Sequence, residues 1–176
     1  QISQQHVDAA FNWKETGHSR HIITLDSPLY PELLKQLDSP PLVLFATGNL
    51  ELLRKKQIAV VGSRRASHQG KRTANDFAQG LSNNGVVVTS GLAMGIDSAA
   101  HQGAMAGSTG TIAVMGTGPD KVYPAKNIKI LTDINDNGGL SITEFFPGQG
   151  PKPWHFPRRN RIIAALSLGT LVVEAK

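Results

Sequence analysis

The stretch IAVVGSRRASHQGKRTANDFAQGLSNNGVVVTSG (58–91) decides the fold. Its first strand is the short run Gln57-Ile58-Ala59-Val60-Val61-Gly62, apolar and β-branched after Gln57 and ended by glycine, the pattern of a strand buried on both faces of a parallel sheet. The period then changes. Ala74, Phe77, Ala78 and Leu81 fall at i, i+3, i+4 and i+7, which predicts a helix over 67–84, and Asn84-Gly85 supplies its stop. Val86-Val87-Val88-Thr89-Ser90-Gly91 reads as a second buried strand. One strand–helix–strand unit is therefore legible in 34 residues.

The unit repeats downstream. Strands are predicted at 111–116, 140–145 and 169–174, and helices at 96–106, 125–137 and 159–168. Strands alternating with helices at this spacing mean βαβ units, a parallel sheet and right-handed crossovers. The expected fold class is α/β: an extended Rossmann-like, doubly wound, mainly parallel sheet with helices on both faces. Upstream, strands are expected at 21–25 and 42–46 with a short helix at 32–37, among Pro28, Pro31, Pro40 and Pro41. That segment is too small to bury a core alone. Residues 1–50 are expected to pack on and extend the sheet, and 51–176 to form the Rossmann-like domain. Residues 1–18 show no clear period.

Composition narrows the classes. There are no cysteines, which removes disulfides, Cys-ligated metals and thiol catalysis. No run approaches the roughly 20 apolar residues that span a bilayer. The polar start does not resemble a signal peptide, so a cytoplasmic protein without a membrane partner is expected. The first residue is not Met, which suggests a fragment. Lys and Arg exceed Asp and Glu by 18 to 13, a net +5 that suits either nucleic-acid binding or a mildly basic enzyme. The positive charge is clustered at Arg64-Arg65, Lys71-Arg72 and Arg158-Arg159-Asn160-Arg161.

In open α/β sheets ligands bind beyond the carboxyl ends of the strands, so the loops there should line any site. The first, from Gly62-Ser63-Arg64-Arg65 to Lys71, joins a strand to a helix start that favours an anion, or else is a solvated basic turn. It is neither a dinucleotide fingerprint, since position 64 is Arg, nor a Walker A loop, since Arg65 and Arg72 stand at required positions. No NAD, FAD or ATP, and no other cofactor, is expected. The second loop starts at Ser90-Gly91. Its Asp97 and His101, four apart on one helix face, make either a structural hydrogen bond, the favoured reading, or an acid–base pair or half a metal site. The third carries Gly116, Gly118 and Tyr123, then Lys126 and Asn127; Tyr123 is a base-stacking or a core residue. The fourth (146–161) is long, Pro-rich and aromatic. Trp154 and Phe156 either stack bases beside arginines or pin the loop to the core. At least one of its arginines should pair with a carboxylate such as Glu144 or Glu174.

Five ordered stretches resemble the DprA/Smf family of DNA-processing proteins: IAVVGSRRAS (58–67), SGLAMGIDSAAHQGAM (90–105), TIAVMGTGPDKVYPAKN (111–127), SITEFFPGQGPKPWHFPRRNRIIAALS (141–167) and GTLVVEA (169–175). The resemblance covers about 20–176. It implies an extended Rossmann-like fold that binds single-stranded DNA, protects incoming strands in natural transformation, helps load the recombinase RecA, and forms a homodimer. It assigns DNA contacts to Arg64, to Lys126, and to the segment from Phe156 through Arg158, Arg159 and Asn160 to Arg161. Two departures stand out: Gly118-Pro119-Asp120 replaces the usual Gly-Leu-Asp, and the sequence stops at Lys176, before later family segments, so the domain is expected to be incomplete at its C-terminus. The competing reading is an enzyme of the nucleoside-monophosphate phosphoribohydrolase type, in which Gly169-Thr170 and Glu174 would stand in a degraded phosphate-loop motif. Leu168 occupies the place of a required glycine.

Overall fold

The computed structural model describes residues 2–175. Seven strands form one sheet: β1 (Arg20–Thr24), β2 (Val43–Gly48), β3 (Gln57–Gly62), β4 (Val87–Ser90), β5 (Thr111–Val114), β6 (Leu140–Thr143) and β7 (Thr170–Val173). Six α-helices accompany them: α1 (Gln4–Glu15), α2 (Glu32–Lys35), α3 (His68–Asn83), α4 (Ile96–Ala106), α5 (Ile128–Asp136) and α6 (His155–Leu166). The strand order is β1-β2-β6-β5-β4-β3-β7. β3 to β6 and β7 are parallel, while β1–β2 and β2–β6 pair antiparallel.

Strand alternation divides the core. Ala59, Val87, Ile112, Val114 and Ile142 pack with Ile162, Ile163 and Leu166 of α6. Val60, Val88 and Val173 point the other way, onto Ala74 and Ala78 of α3 and Ala99, Ala100 and Ala104 of α4. Small residues on α3 and α4 let these helices approach closely: a side chain at Gly103 would meet the backbone of Asn75. α5 seals the same face through Leu131 and Ile134.

Two stretches differ from the expectation. α6 begins at His155, four residues before the expected start, and absorbs the last seven residues of the long loop. Pro157 is its third residue, where the N–H has no partner within a helix, so proline costs nothing there. Residues 4–15, which show no period, form α1. Only Ala10 and Trp13 of its twelve residues are buried, so the apolar stripe is too narrow to read. Trp13 lies edge-on to Phe45, ring centroids 5.6 Å apart.

Candidate functional site

The strand order reverses at β3. The sheet grows from β3 through β4 and β5 to β6, and then α6 carries the chain back across the opposite face to β7. The helix after β3 and the helix before β7 thus lie on opposite faces. They leave a crevice between the carboxyl ends of β3 and β7, the position where open α/β sheets bind ligands. A recess of about 210 Å³ lies there, lined among others by Gly62, Arg64, Asp97, Arg159, Asn160 and Thr170.

The first loop is fixed by its backbone. Ser63 N–H donates to the Glu174 carbonyl (3.1 Å), and Ser63 O accepts from Ile96 N–H (3.2 Å). Gly62 has no room for a side chain, because one would strike the Val173 carbonyl. Gly95, at φ 81°, is held against the Ser63 and Arg64 carbonyls. Arg64 and Arg65 project into solvent. The expected anion site at the start of α3 exists but is filled from within. Both Glu174 carboxylate oxygens accept from Ser67 N–H (3.0 Å), and Ser67 Oγ donates to Oε2 (2.8 Å). A carboxylate at a helix N-terminus is well placed against the dipole, and it excludes a phosphate from the same spot.

The second loop is tied inward. Asp97 Oδ2 accepts from Gly91 N–H (3.1 Å) and Ala93 N–H (3.3 Å). Arg159, only 3% exposed, donates Nη1–H to the carbonyls of Gly91 and Val114, stapling the ends of β4 and β5 to α6. Burial pushes the Arg159 guanidinium down to about 10, which leaves it charged at neutral pH. Burial likewise pushes the Asp97 carboxyl up, against the attraction of Arg159. Asp97 and His101 make separate hydrogen bonds: His101 Nδ1 meets Thr111 Oγ1 at 2.8 Å. Among the described residues no cluster of His, Asp and Glu could hold a metal.

Several of the expected contact residues make framework bonds. Ser90 Oγ donates to the Val60 carbonyl (2.6 Å), and Asn127 Nδ2 to the Leu92 carbonyl (2.8 Å) and Ser98 Oγ (3.0 Å), all buried or nearly so. Gly118 N–H donates to the Gln149 carbonyl (2.8 Å), joining the third and fourth loops. Arg158 Nε and Arg161 Nη2 both donate to Glu144 Oε2 (3.1 and 2.6 Å), the carboxylate pairing expected of this cluster. Arg161 also reaches the Ser39 carbonyl (2.8 Å). Gly116 has no room for a side chain beside the Phe156 ring, and its carbonyl accepts from His155 Nδ1 (3.1 Å).

What remains at the surface is aromatic and cationic. The Arg64 guanidinium lies over the Phe156 ring, 5.5 Å from its centroid, and Tyr123 flanks that ring at 5.4 Å. Together with Met94 and Pro124 they line a small, mostly apolar pocket. Arg65 and Lys126 are exposed and outside every ion pair of the described residues. Asn160 lies beside Arg64 at the crevice. Trp154, 63% exposed at the start of α6, carries Lys152 over its ring at 5.3 Å. Cations over aromatic faces, open to solvent, suit a ligand with both phosphates and flat rings.

The profile of the DNA recombination-mediator protein A family matches residues 21–176. The chain is 48% identical over 147 residues to the DNA processing protein DprA of Streptococcus pneumoniae, covering 84% of this chain and 51% of that protein. It is 40% identical over 169 residues to the protein Smf of Escherichia coli, covering 96% and 45%. The X-ray structure of the pneumococcal protein superposes with a TM-score of 0.85 at 42% identity, over 99% of this chain and 59% of that one. A Helicobacter pylori DNA processing protein A, solved to describe its single-stranded DNA binding mode, gives 0.80 at 30% identity, over 89% and 70%. The chain spans about half the length of the curated relatives it matches.

Proposed function

The chain belongs to the DNA recombination-mediator protein A family, and on that premise we propose that it binds single-stranded DNA across the carboxyl edge of its sheet. The observation that carries this reading is the Arg64 guanidinium over Phe156, beside Tyr123, at a crevice flanked by Arg65 and Asn160. Arg64, Arg65 and Lys126 take phosphates, and Tyr123, Phe156 and Trp154 offer faces on which bases stack. Stacking tolerates any base, so binding is largely independent of sequence and weakened by salt. The inward bonds of Ser90, Gly118, Asn127 and Arg159 give these residues the task of holding the loops. Protection of incoming strands, delivery to RecA and homodimerisation extend the proposal to the whole protein, on the strength of the family resemblance. Glu174, the candidate acid of a nucleoside-monophosphate hydrolase, is spent on capping α3, which supports binding rather than hydrolysis.

Arg64→Ala is expected to weaken binding of labelled oligo-dT about tenfold, or about 1–2 kcal/mol for one charge-assisted contact. The slope of log affinity against log salt should fall by about one phosphate's worth. Titrations of the two folded proteins at several salt concentrations check both numbers. Unchanged affinity and slope would remove Arg64 from the DNA path.

A further inference from the structure

Of the basic clusters in the sequence, Lys71-Arg72 has no part in the edge described above. Both side chains are exposed on the first two turns of α3. His68, Lys71, Arg72 and Asn75 fall at i, i+3, i+4 and i+7, so they form one stripe along the helix. The lower end of that stripe is anchored on α4. Asn75 Nδ2 donates to the Ala99 carbonyl (3.4 Å), and the Asn75 backbone leaves no room for a side chain at Gly103. α3 and α4 follow the neighbouring parallel strands β3 and β4 and run in the same direction, so the upper part of the stripe stands beside the start of α4. That start is itself tied to the first loop, because Gly95 packs on the Ser63 and Arg64 carbonyls and Ile96 N–H donates to Ser63 O (3.2 Å). The stripe therefore continues the crevice from Arg64 and Arg65 onto the outside of α3.

Its charge is not neutralised from within. Arg65, Lys71 and Arg72 are exposed and belong to none of the ion pairs of the described residues. Cations this close repel one another, and a bound polyanion relieves that repulsion. The helix terminus is not the attraction, since Ser67 and Glu174 already cap it. An anion here meets side chains. The stripe holds no Phe, Tyr or Trp, so it offers donors to phosphates and no broad face to a base. We propose that Arg65, Lys71 and Arg72, with His68 beside them, form a backbone track along which a longer single strand leaves the crevice over α3. The proposal rests on the single-stranded DNA reading and gives that path a direction.

The test compares a short oligo-dT of about 6 nucleotides with a long one of about 16, a span that single-strand sites cover. The double variant Lys71→Gln with Arg72→Gln keeps helix propensity and changes only exposed side chains, so it should fold. At low salt it should lose about fivefold to tenfold more affinity for the long strand than for the short one. Its slope of log affinity against log salt on the long strand should fall by about 1.4, two phosphates at about 0.7 each. Lys55→Gln with Lys56→Gln removes the same charge at the amino end of β3 and serves as the control. It should bind both lengths as wild type does, within about twofold. Three results overturn the track: a Lys71/Arg72 variant that matches wild type on both lengths, one that weakens both lengths equally, or a control that weakens the long strand as much. In each case a weakened Arg64→Ala leaves the crevice standing. If wild type binds neither length, the DNA reading itself fails, and the track with it.

Discussion

His101 is held in one tautomer by its single partner. Thr111 Oγ1 donates its one proton to the Val88 carbonyl (2.6 Å), so it can only accept from His101. The ring proton therefore sits on Nδ1, and the buried Nε2 is left without a partner. A second proton would have no acceptor, and burial, helped by Arg159, pushes the imidazole down to about 3. The unfolded chain, with an ordinary histidine near 6.5, takes up the proton first as pH falls. The stabilisation from keeping His101 neutral is complete above about 6.5 and is lost progressively from there towards about 3, at about 1.4 kcal/mol per pH unit. Urea unfolding at about pH 7 and pH 5 should show that His101→Gln loses about 2 kcal/mol less stability than wild type over that interval. Equal losses would mean that other groups set the acid sensitivity. The sequence placed Asp97 and His101 on one helix face and favoured a structural role. It could not name Thr111 as the partner, because that contact depends on how β5 lies against α4.

Among the elements, α6 decides which arginines face outward. Arg159, Ile162, Ile163 and Leu166 fall at i, i+3, i+4 and i+7, and all four are buried. Arg158 and Arg161, three apart, share the face that meets Glu144. That phase was legible once the helix is started at His155, but Pro157 and the aromatic residues give residues 146–158 the look of a loop. The βα alternation from 57 onwards was fully legible, because buried strands and amphipathic helices leave different periods. α1 was not, because its two buried residues make no stripe. Arg159 joins α6 to the carbonyl ends of β4 and β5 and balances Asp97. Arg159→Met keeps length and burial but strands Asp97 and two carbonyls. It should cost about 3–5 kcal/mol by urea denaturation, the range for leaving a buried charge uncompensated. A loss under about 1 kcal/mol, the value of a surface pair, would show that solvent reaches the staple.

For the whole molecule, strand order turns scattered loops into one edge. The reversal at β3 brings the glycine loop beside β7 and sets α6 across the opposite face, so that Arg64 and Phe156, 92 positions apart in sequence, come into contact. Net charge alone said little: much of the clustered positive charge is consumed internally, by Glu144 and by the loop carbonyls. The exposed remainder is narrow, which is the central claim. An oligo-dT carrying a photoreactive halogenated uracil tests it most directly. Irradiation joins that base to the ring on which it stacks, and peptide mapping identifies the ring. Adducts should fall on Tyr123, Trp154 or Phe156 and disappear when unlabelled oligo-dT competes. Adducts confined to Phe11 or Phe77, exposed on α1 and α3 and outside the proposed DNA contacts, would contradict the account.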